Sequence, residues 1–323
     1  MTTTMETVLV ISGILAIALR SATALLYTIL GEIIAERSGV MNLGLEGMLL
    51  NSAMIAFAAA YHSESLGLGV LAAVLMSAFL AAIFAGLTIF FQADQVLTGL
   101  VLFIFGSGLS SFLGQRLGPG GATLVGLAGP KFSRIPIPIL SEIPILGDLF
   151  FNQDIFLYAL YFIIPVCGFI LYRTRLGLNL RAVGENPITS DTLGLRAQLT
   201  RFLAVVAGGA FVGLGGAQIA LSYSPGWTDG MTSGRGWIAF ALVIFSTWDP
   251  GRAVLGAILF GGISALQFRL QAIGLAVPSA VLRMLPYIFT LVTLILISSP
   301  RFLKRAGIPA GLGRNFIRGG EKN

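Results

Sequence analysis

The sequence predicts an all-α protein that crosses a membrane many times, and three observations carry that prediction. Of 323 residues, 56% are apolar and 11% charged, whereas a soluble domain carries roughly 25% charged residues. The apolar residues gather into runs near the ~20 residues that a spanning helix needs. The basic residues gather outside those runs, in two hydrophilic stretches. The 41 glycines follow no collagen-like period and suit membrane helices, where small residues let backbones approach closely.

Nine segments qualify as spans, within a range of eight to ten. They are Val8–Leu30, Met41–Tyr61, Gly67–Phe91, Leu97–Gly114, Ile155–Tyr172, Phe202–Ser222, Trp237–Trp248, Leu255–Ile273 and Val281–Ser298. Residues 1–323 read as a single transmembrane domain. Met1–Glu6 has no basic residue and the following run has no small-residue cleavage site, so the first segment is expected to stay in the protein.

Loop charge orients the spans. The 173–201 loop holds Arg173, Arg175, Arg181, Arg196 and Arg201 against Glu185 and Asp191. The 301–323 tail holds Arg301, Lys304, Arg305, Arg314, Arg318 and Lys322 against Glu321. Both are expected on the cytoplasmic side, so an even number of crossings separates them. Trp237–Trp248, the shortest candidate, must then cross, lengthened by Gly230–Gly236. Five crossings before Arg173 place the N-terminus outside and the C-terminus inside. Residues 115–154, with Pro130, Pro136, Pro138 and Pro144 and balanced charge, read as an external loop.

Several chemistries are excluded. One cysteine, Cys167, and one histidine, His62, rule out an intrachain disulfide, a Cys/His zinc site and a thiol–imidazole pair; both read as packing or loop residues. The basic stretches lack the interleaved aromatics that stack single strands, so no nucleic-acid partner is expected. A phosphate-binding P-loop ends in Lys followed by Ser or Thr, but Lys131, Lys304 and Lys322 are followed by Phe, Arg and Asn. The chain is therefore not an ATPase, and no catalytic residue or metal ligand is assigned. Intramembrane carboxylates are few. Arg20 and Glu46 fall inside spans, while Glu32, Glu36 and Asp94 fall at ends or in short loops, which argues against a proton relay.

Two patterns stand out. In Gly31-Glu-Ile-Ile-Ala-Glu-Arg-Ser-Gly39-Val-Met-Asn42-Leu-Gly44-Leu-Glu46-Gly47-Met48, glycines surround Asn42 and Glu46. This suggests a helix start whose exposed backbone groups must be met by protein or by a wet cavity. Asn42 and Glu46 are four apart and share a face; they either lock two helices or, with Asn51, line a permeation path. In Gly177-Leu-Asn-Leu-Arg181-Ala-Val-Gly184-Glu185-Asn186-Pro187-Ile-Thr-Ser-Asp191-Thr-Leu-Gly194, Asn186 caps a short helix that starts at Pro187 and stops at Gly194. Such a helix is either a docking element or a solvated connector.

Together with Ala93-Asp94-Gln95-Val96 and Trp248-Asp249-Pro250-Gly251-Arg252, followed by Gly256 and Phe260-Gly261, these patterns resemble the permeases of ABC importers in the branched-chain amino acid, ribose and nucleoside group. The resemblance covers nearly the whole chain and is strongest to the shorter permease of simple-sugar or purine-nucleoside systems. It implies a type II importer fold in the bacterial inner membrane. It further implies an ATP-binding subunit, which would hold ATP and Mg, a second homologous permease forming a heterodimer, and an external binding lipoprotein or periplasmic protein. By the same similarity Gly184, Glu185, Asn186, Pro187, Asp191 and Gly194 form the segment that couples to the ATPase. The implied cargo is a nucleoside or simple sugar; ribose, branched-chain amino acids and a stand-alone secondary carrier are the alternatives. Trp227 and Trp237 are available for base stacking but also suit an interfacial belt.

Five arginines, Arg116, Arg134, Arg235, Arg269 and Arg283, fall at or near the outer face against the positive-inside bias. They are expected to receive acidic residues of the binding protein, or else to snorkel to lipid headgroups, while Arg269 or Arg283 could instead neutralise Glu46 or a helix terminus. The first prediction follows from the missing P-loop. The purified chain should show no ATP hydrolysis above a lipid-only control in a phosphate-release assay, and activity should appear only when a nucleotide-binding subunit is added.

Overall fold

The computed structural model of the chain describes residues 2–143, 145–272, 279–297 and 307–316. Eleven helices follow in order among them: α1 Thr2–Arg37, α2 Leu45–Ser63, α3 Leu66–Ala85, α4 Gln95–Gly114, α5 Ile155–Arg173, α6 Arg175–Glu185, α7 Pro187–Thr192, α8 Ala197–Gln218, α9 Arg235–Phe245, α10 Pro250–Ala272 and α11 Ser279–Ile297. α3 and α8 each continue into a five-residue π-turn, Gly86–Phe90 and Ile219–Tyr223. Two short strands, β1 Ile135–Pro136 and β2 Asn152–Gln153, pair antiparallel and close the base of the long loop.

Each of the nine segments read from sequence as a span overlaps a helix among the described residues. Five stretches among the described residues are long and apolar enough to cross a membrane: Leu15–Arg37, Leu66–Phe90, Gln95–Gly114, Ile155–Arg173 and Ala197–Tyr223. Most of the 301–323 tail lies outside the described residues, as does the end of the last segment. Two local expectations change. Nothing breaks α1 before Ser38 and Gly39, so the helix runs on to Arg37 and carries Glu32 and Glu36 inside it, each 1% exposed. Gly230–Gly236 does not lengthen α9. Gly230, Ser233 and Gly234 all have positive φ, a left-handed conformation that cannot continue a right-handed helix, so α9 has only 11 residues.

α1 is the hub of the bundle. It packs against α8, α10, α9 and α5, while α3 covers α8 and α2, and α4 flanks α2. The α1–α8 crossing is made by Gly31 and Gly208, each of which sits on the other's carbonyl oxygen with no room for a side chain. Apolar attraction cannot pull helices together in lipid, so such close backbone contact supplies the packing that holds them. Tyr27, in the core, donates through its hydroxyl to Phe156 O (2.8 Å) and fixes α5 to α1. Cys167 is buried in the core cluster, and His62 Nε2 is hydrogen-bonded to Leu117 O (2.6 Å).

Contacts along α1 separate two ends of the bundle. Arg20 Nε donates to Gln153 Oε1 (3.0 Å) at the base of the 115–154 loop. Arg37 donates to Trp248 O (3.1 Å) and Gly307 O (3.1 Å), beside the 173–201 loop. Seventeen helical steps separate the two arginines, about 25 Å at 1.5 Å per residue, close to the ~30 Å of a hydrocarbon core. The long loop and the basic loop therefore cap opposite ends.

α2 starts partway between those ends. Gly47 faces Leu102 O, Phe103 and Gly106, near the middle of the 20-residue α4. A methyl group placed on Gly106 would lie 2.8 Å from Gly47 Cα, against backbone that cannot give way, whereas one on Gly108 would meet nothing within 4 Å. Gly106→Ala should therefore cost about 1–3 kcal/mol by overpacking. Gly108→Ala should be neutral or gain up to about 1 kcal/mol of helix propensity. Thermal unfolding of the two variants in detergent checks the contrast.

Candidate functional site

The residues singled out in sequence fall in three places. The first is the interior, where α2 and α9 both begin. A helix start leaves backbone N–H groups without intrahelical partners; the first turn of α2 is buried, and the start of α9 is buried at Thr232 and Gly236. Asn42 braces the turn ahead of α2: its Oδ1 accepts from Gly44 N (2.9 Å), and its own N–H donates to Glu32 Oε1 (2.8 Å) on α1. Met41 N donates to Gln95 Oε1 (2.9 Å).

Glu46 meets the need at α9. Its Oε1 accepts from Thr232 Oγ1 (2.5 Å) and Gly234 N (2.9 Å), and its Oε2 accepts from Gly236 N (2.6 Å). The carboxylate is 5% exposed and stands at the positive ends of two helix dipoles, its own first turn and that of α9. Gly236 admits this approach because it has no side chain; a methyl group there would lie 2.5 Å from Glu46 N. Asn51, one turn further along α2, donates through Nδ2 to Gly47 O and Gly106 O (both 2.7 Å) and ties α2 to α4. Asn42, Glu46 and Asn51 thus share one helix start, and each is hydrogen-bonded within or between elements. Trp237 stacks edge-on against Phe103 (5.2 Å between centroids), while Trp227 is buried against Gly114.

The second place is the basic end. Asn186 Oδ1 accepts from Thr189 N (3.0 Å), Pro187 occupies the first position of α7, and Gly194 follows the helix at φ 88°. Capping residue, initiator and stop are those read from the sequence. Gly184 is buried beneath the Arg37 carbonyl, which leaves no space for a side chain. Glu185 is exposed and accepts through Oε2 from Ala310 N (3.2 Å); Asp191 lies in the last turn of α7. On the outer side, Leu176, Leu178, Ile188 and Leu193 are exposed, Leu193 by 78%. Ile188 and Leu193 stand near the two ends of α7, so this short helix offers exposed apolar side chains.

The third place is the long-loop end. A cavity of about 320 Å³ is lined by Arg20, Lys131, Phe132, Arg134, Asp154 and Tyr223 among others. Asp154 is occupied as the cap of α5, accepting from Leu157 N (2.9 Å), and it accepts from the Ser222 hydroxyl as well. Three cations from two elements therefore face the cavity, with one carboxylate already engaged. Arg116 is exposed and lies over the Phe112 ring (4.1 Å). Arg235 lies over Tyr223 (5.0 Å), half-buried. The side chains of Arg269 and Arg283 lie outside the described residues.

Sequence reading did not single out Thr232, the buried Glu32 and Glu36, or Arg201. Thr232-Ser233-Gly234 ahead of the apolar run at Trp237 was the available sign of a helix start there. Glu36 accepts from Trp248 Nε1, a pairing across 212 residues with no local signal. The lock at Glu46 yields a prediction. Glu46→Gln leaves one or two enclosed donors facing an amide N–H₂, which should lower stability by about 2 kcal/mol in thermal unfolding of the purified protein.

The chain's similarity to known proteins extends over most of its length. The family model described as branched-chain amino acid transport system, permease component, matches residues 13–298. A Haloferax volcanii protein provisionally named a glucose ABC transporter permease, TsgC13, is 40% identical over 82% of this chain and 80% of its own. The guanosine ABC transporter permease NupQ of Bacillus subtilis is 34% identical over 98% of this chain and 99% of its own. The nucleoside ABC transporter permease NupC of Lactococcus lactis is 32% identical over 92% and 94%. No solved structure gave a significant match.

Proposed function

The chain belongs to the branched-chain amino acid transport permease family of multi-pass membrane proteins, and on that premise we propose that it conducts a nucleoside or a simple sugar inward as one permease of an ABC importer. The observation that carries the cargo is similarity at 32–40% identity, over 82–98% of the chain, to proteins named for guanosine, nucleosides and glucose. The motor is a separate ATP-binding subunit that supplies ATP and Mg. A second, homologous permease completes the pathway, and an external binding protein delivers the substrate.

Each of the three places has a part in this reading. Gly184, Glu185, Asn186, Pro187, Asp191 and Gly194 form the ATPase-coupling segment, supported by the capped α7 and by the exposed Ile188 and Leu193 beside it. Asn42, Glu46 and Asn51 belong to the pathway as the posts of its wall, fixing where α2, α4 and α9 stand. Discontinuous helices with their starts inside the bundle are a recurrent way of building transport sites. Arg116, Arg134, Arg235, Arg269 and Arg283 receive the binding protein, and the Arg20–Lys131–Arg134 cavity offers room for an acidic side chain. Nine crossings with the N-terminus outside and the C-terminus inside fit the coincidence of helices with apolar segments and the two loops at opposite ends of α1. The 115–154 loop then lies outside, and 173–201 and 301–323 lie in the cytoplasm.

Uptake by vesicles holding the assembled complex tests the reading. Labelled guanosine or glucose should enter in an ATP-dependent manner. Selective uptake of ribose or of branched-chain amino acids instead would reassign the cargo, and uptake without any ATPase subunit would replace the importer by a secondary carrier. Leu193→Asp places a charge where an apolar contact is expected and should weaken ATPase-subunit binding by about tenfold or more, measured by co-purification at graded subunit concentration.

A further inference from the structure

The described tail, Gly307–Phe316, contains neither helix nor strand, yet it is bonded along its length to four distant parts of the chain. Arg37 Nη1 donates to Gly307 O (3.1 Å). Ala310 N donates to Glu185 Oε2 (3.2 Å), and Gly311 N donates to Gly184 O (2.9 Å). Gly313 N donates to Gly39 O (3.2 Å). Asn315 Nδ2 donates to Gln92 O (2.8 Å) and Ala93 O (3.2 Å), while Gln92 Nε2 donates to Phe316 O (2.9 Å). Phe316 is buried with Val183 and Ala197. An unstructured tail held by solvent-facing contacts alone would not bury its aromatic residue or satisfy its backbone so fully.

Arg201 lies at the centre, 2% exposed at the start of α8. Its Nε donates to Ser38 O (3.0 Å), its Nη1 to Arg314 O (2.9 Å) and its Nη2 to Gly311 O (3.4 Å). All three acceptors are backbone carbonyls, one from the turn after α1 and two from the tail. A buried guanidinium left short of acceptors is costly, so Arg201 is satisfied only while turn and tail are both in place. The geometry matches the planar fork of arginine, which a lysine ammonium cannot reproduce.

We propose that Gly307–Phe316 is a strap that makes the coupling segment and the end of α1 move as one body, and that Arg201 is the positioning residue that closes it. The proposal rests on the assignment of Gly177–Gly194 as the coupling segment. The inner edge of that segment is fixed to the strap through Gly184 and Glu185, while its outer edge, at Ile188 and Leu193, is free for the ATPase. Movement imposed on α7 passes through the strap and Arg37 to α1. Glu32 on α1 holds Asn42 at the start of α2, so the same movement reaches the helix starts inside the bundle.

The test uses the complete importer in vesicles and reads substrate moved per ATP hydrolysed. Arg201→Lys keeps the charge and loses the fork. It should leave the ATPase subunit bound and hydrolysing, while uptake per ATP falls about fivefold, the effect of losing roughly one net hydrogen bond. Oxidising the pair Ala93→Cys and Asn315→Cys in the Arg201→Lys background fastens the strap covalently at a contact outside the coupling segment, beside the Arg314 carbonyl that Arg201 holds, and should restore the ratio. Unchanged uptake per ATP in Arg201→Lys would overturn the proposal. So would a parallel loss of uptake, hydrolysis and thermal stability that the cross-link does not restore, since that is the behaviour of a merely structural arginine. Leu193→Asp in the same assay separates the two ideas. If it impairs uptake while Arg201→Lys does not, the strap alone is wrong; if it also has no effect, the coupling segment is misassigned and the strap falls with it.

Discussion

A backbone N–H enclosed by apolar surroundings must find an acceptor, and this requirement organises the interior of the protein. Two helices begin inside the bundle rather than at its edge, and their first-turn donors would otherwise face hydrocarbon side chains. Glu46 answers for the first turn of α9, Asn42 for Gly44 at the cap of α2, and Glu32 for Asn42 in turn. Each acceptor fixes a helix start relative to a neighbouring helix. Charged side chains are rare in that interior, as expected where burying a charge is penalised most heavily.

Close glycine packing supplies the complementary constraint. Gly31 against Gly208 and Gly47 against Gly106 bring backbones together where bulkier residues would hold them apart. Close packing sets the distance between helices, and the buried hydrogen bonds set their register. α3 and α4, by contrast, present large apolar residues such as Phe79, Ile104 and Phe105 outward, as a lipid-facing or permease-facing surface requires.

Much of the architecture was legible in the sequence because apolar run length and loop charge are local signals. The five long apolar helices and the capped α7 at Asn186–Pro187 can be read directly. The extent of α1 is not legible because Glu32 and Glu36 look like the polar end of a span, whereas Asn42, just past the helix, donates to one oxygen of Glu32, and Trp248, 212 residues on, donates to one oxygen of Glu36. The shortness of α9 was missed because glycines before an apolar run are compatible with both helix and turn; only the positive φ of Gly230, Ser233 and Gly234 decides. For Asn42 and Glu46 the sequence left two roles open, and the carboxylate's three donors explain why a helix start there needs an acid. Arg201 carried no local sign at all, since its acceptors are backbone carbonyls more than 100 residues away.

The reach of those tail contacts bears on how the protein is made. Arg37 finds one of its acceptors at Gly307, 270 residues later, and chains are synthesised at about 5–20 residues per second. For roughly 15 to 50 s, the end of the first helix exists in the nascent chain without the segment that completes its hydrogen bonding. Insertion of the early helices into the bilayer and closure of the loop end are thus separated in time. The 270 residues between Arg37 and Gly307 must all be made before this bond can form, so the contact belongs to a late stage of assembly.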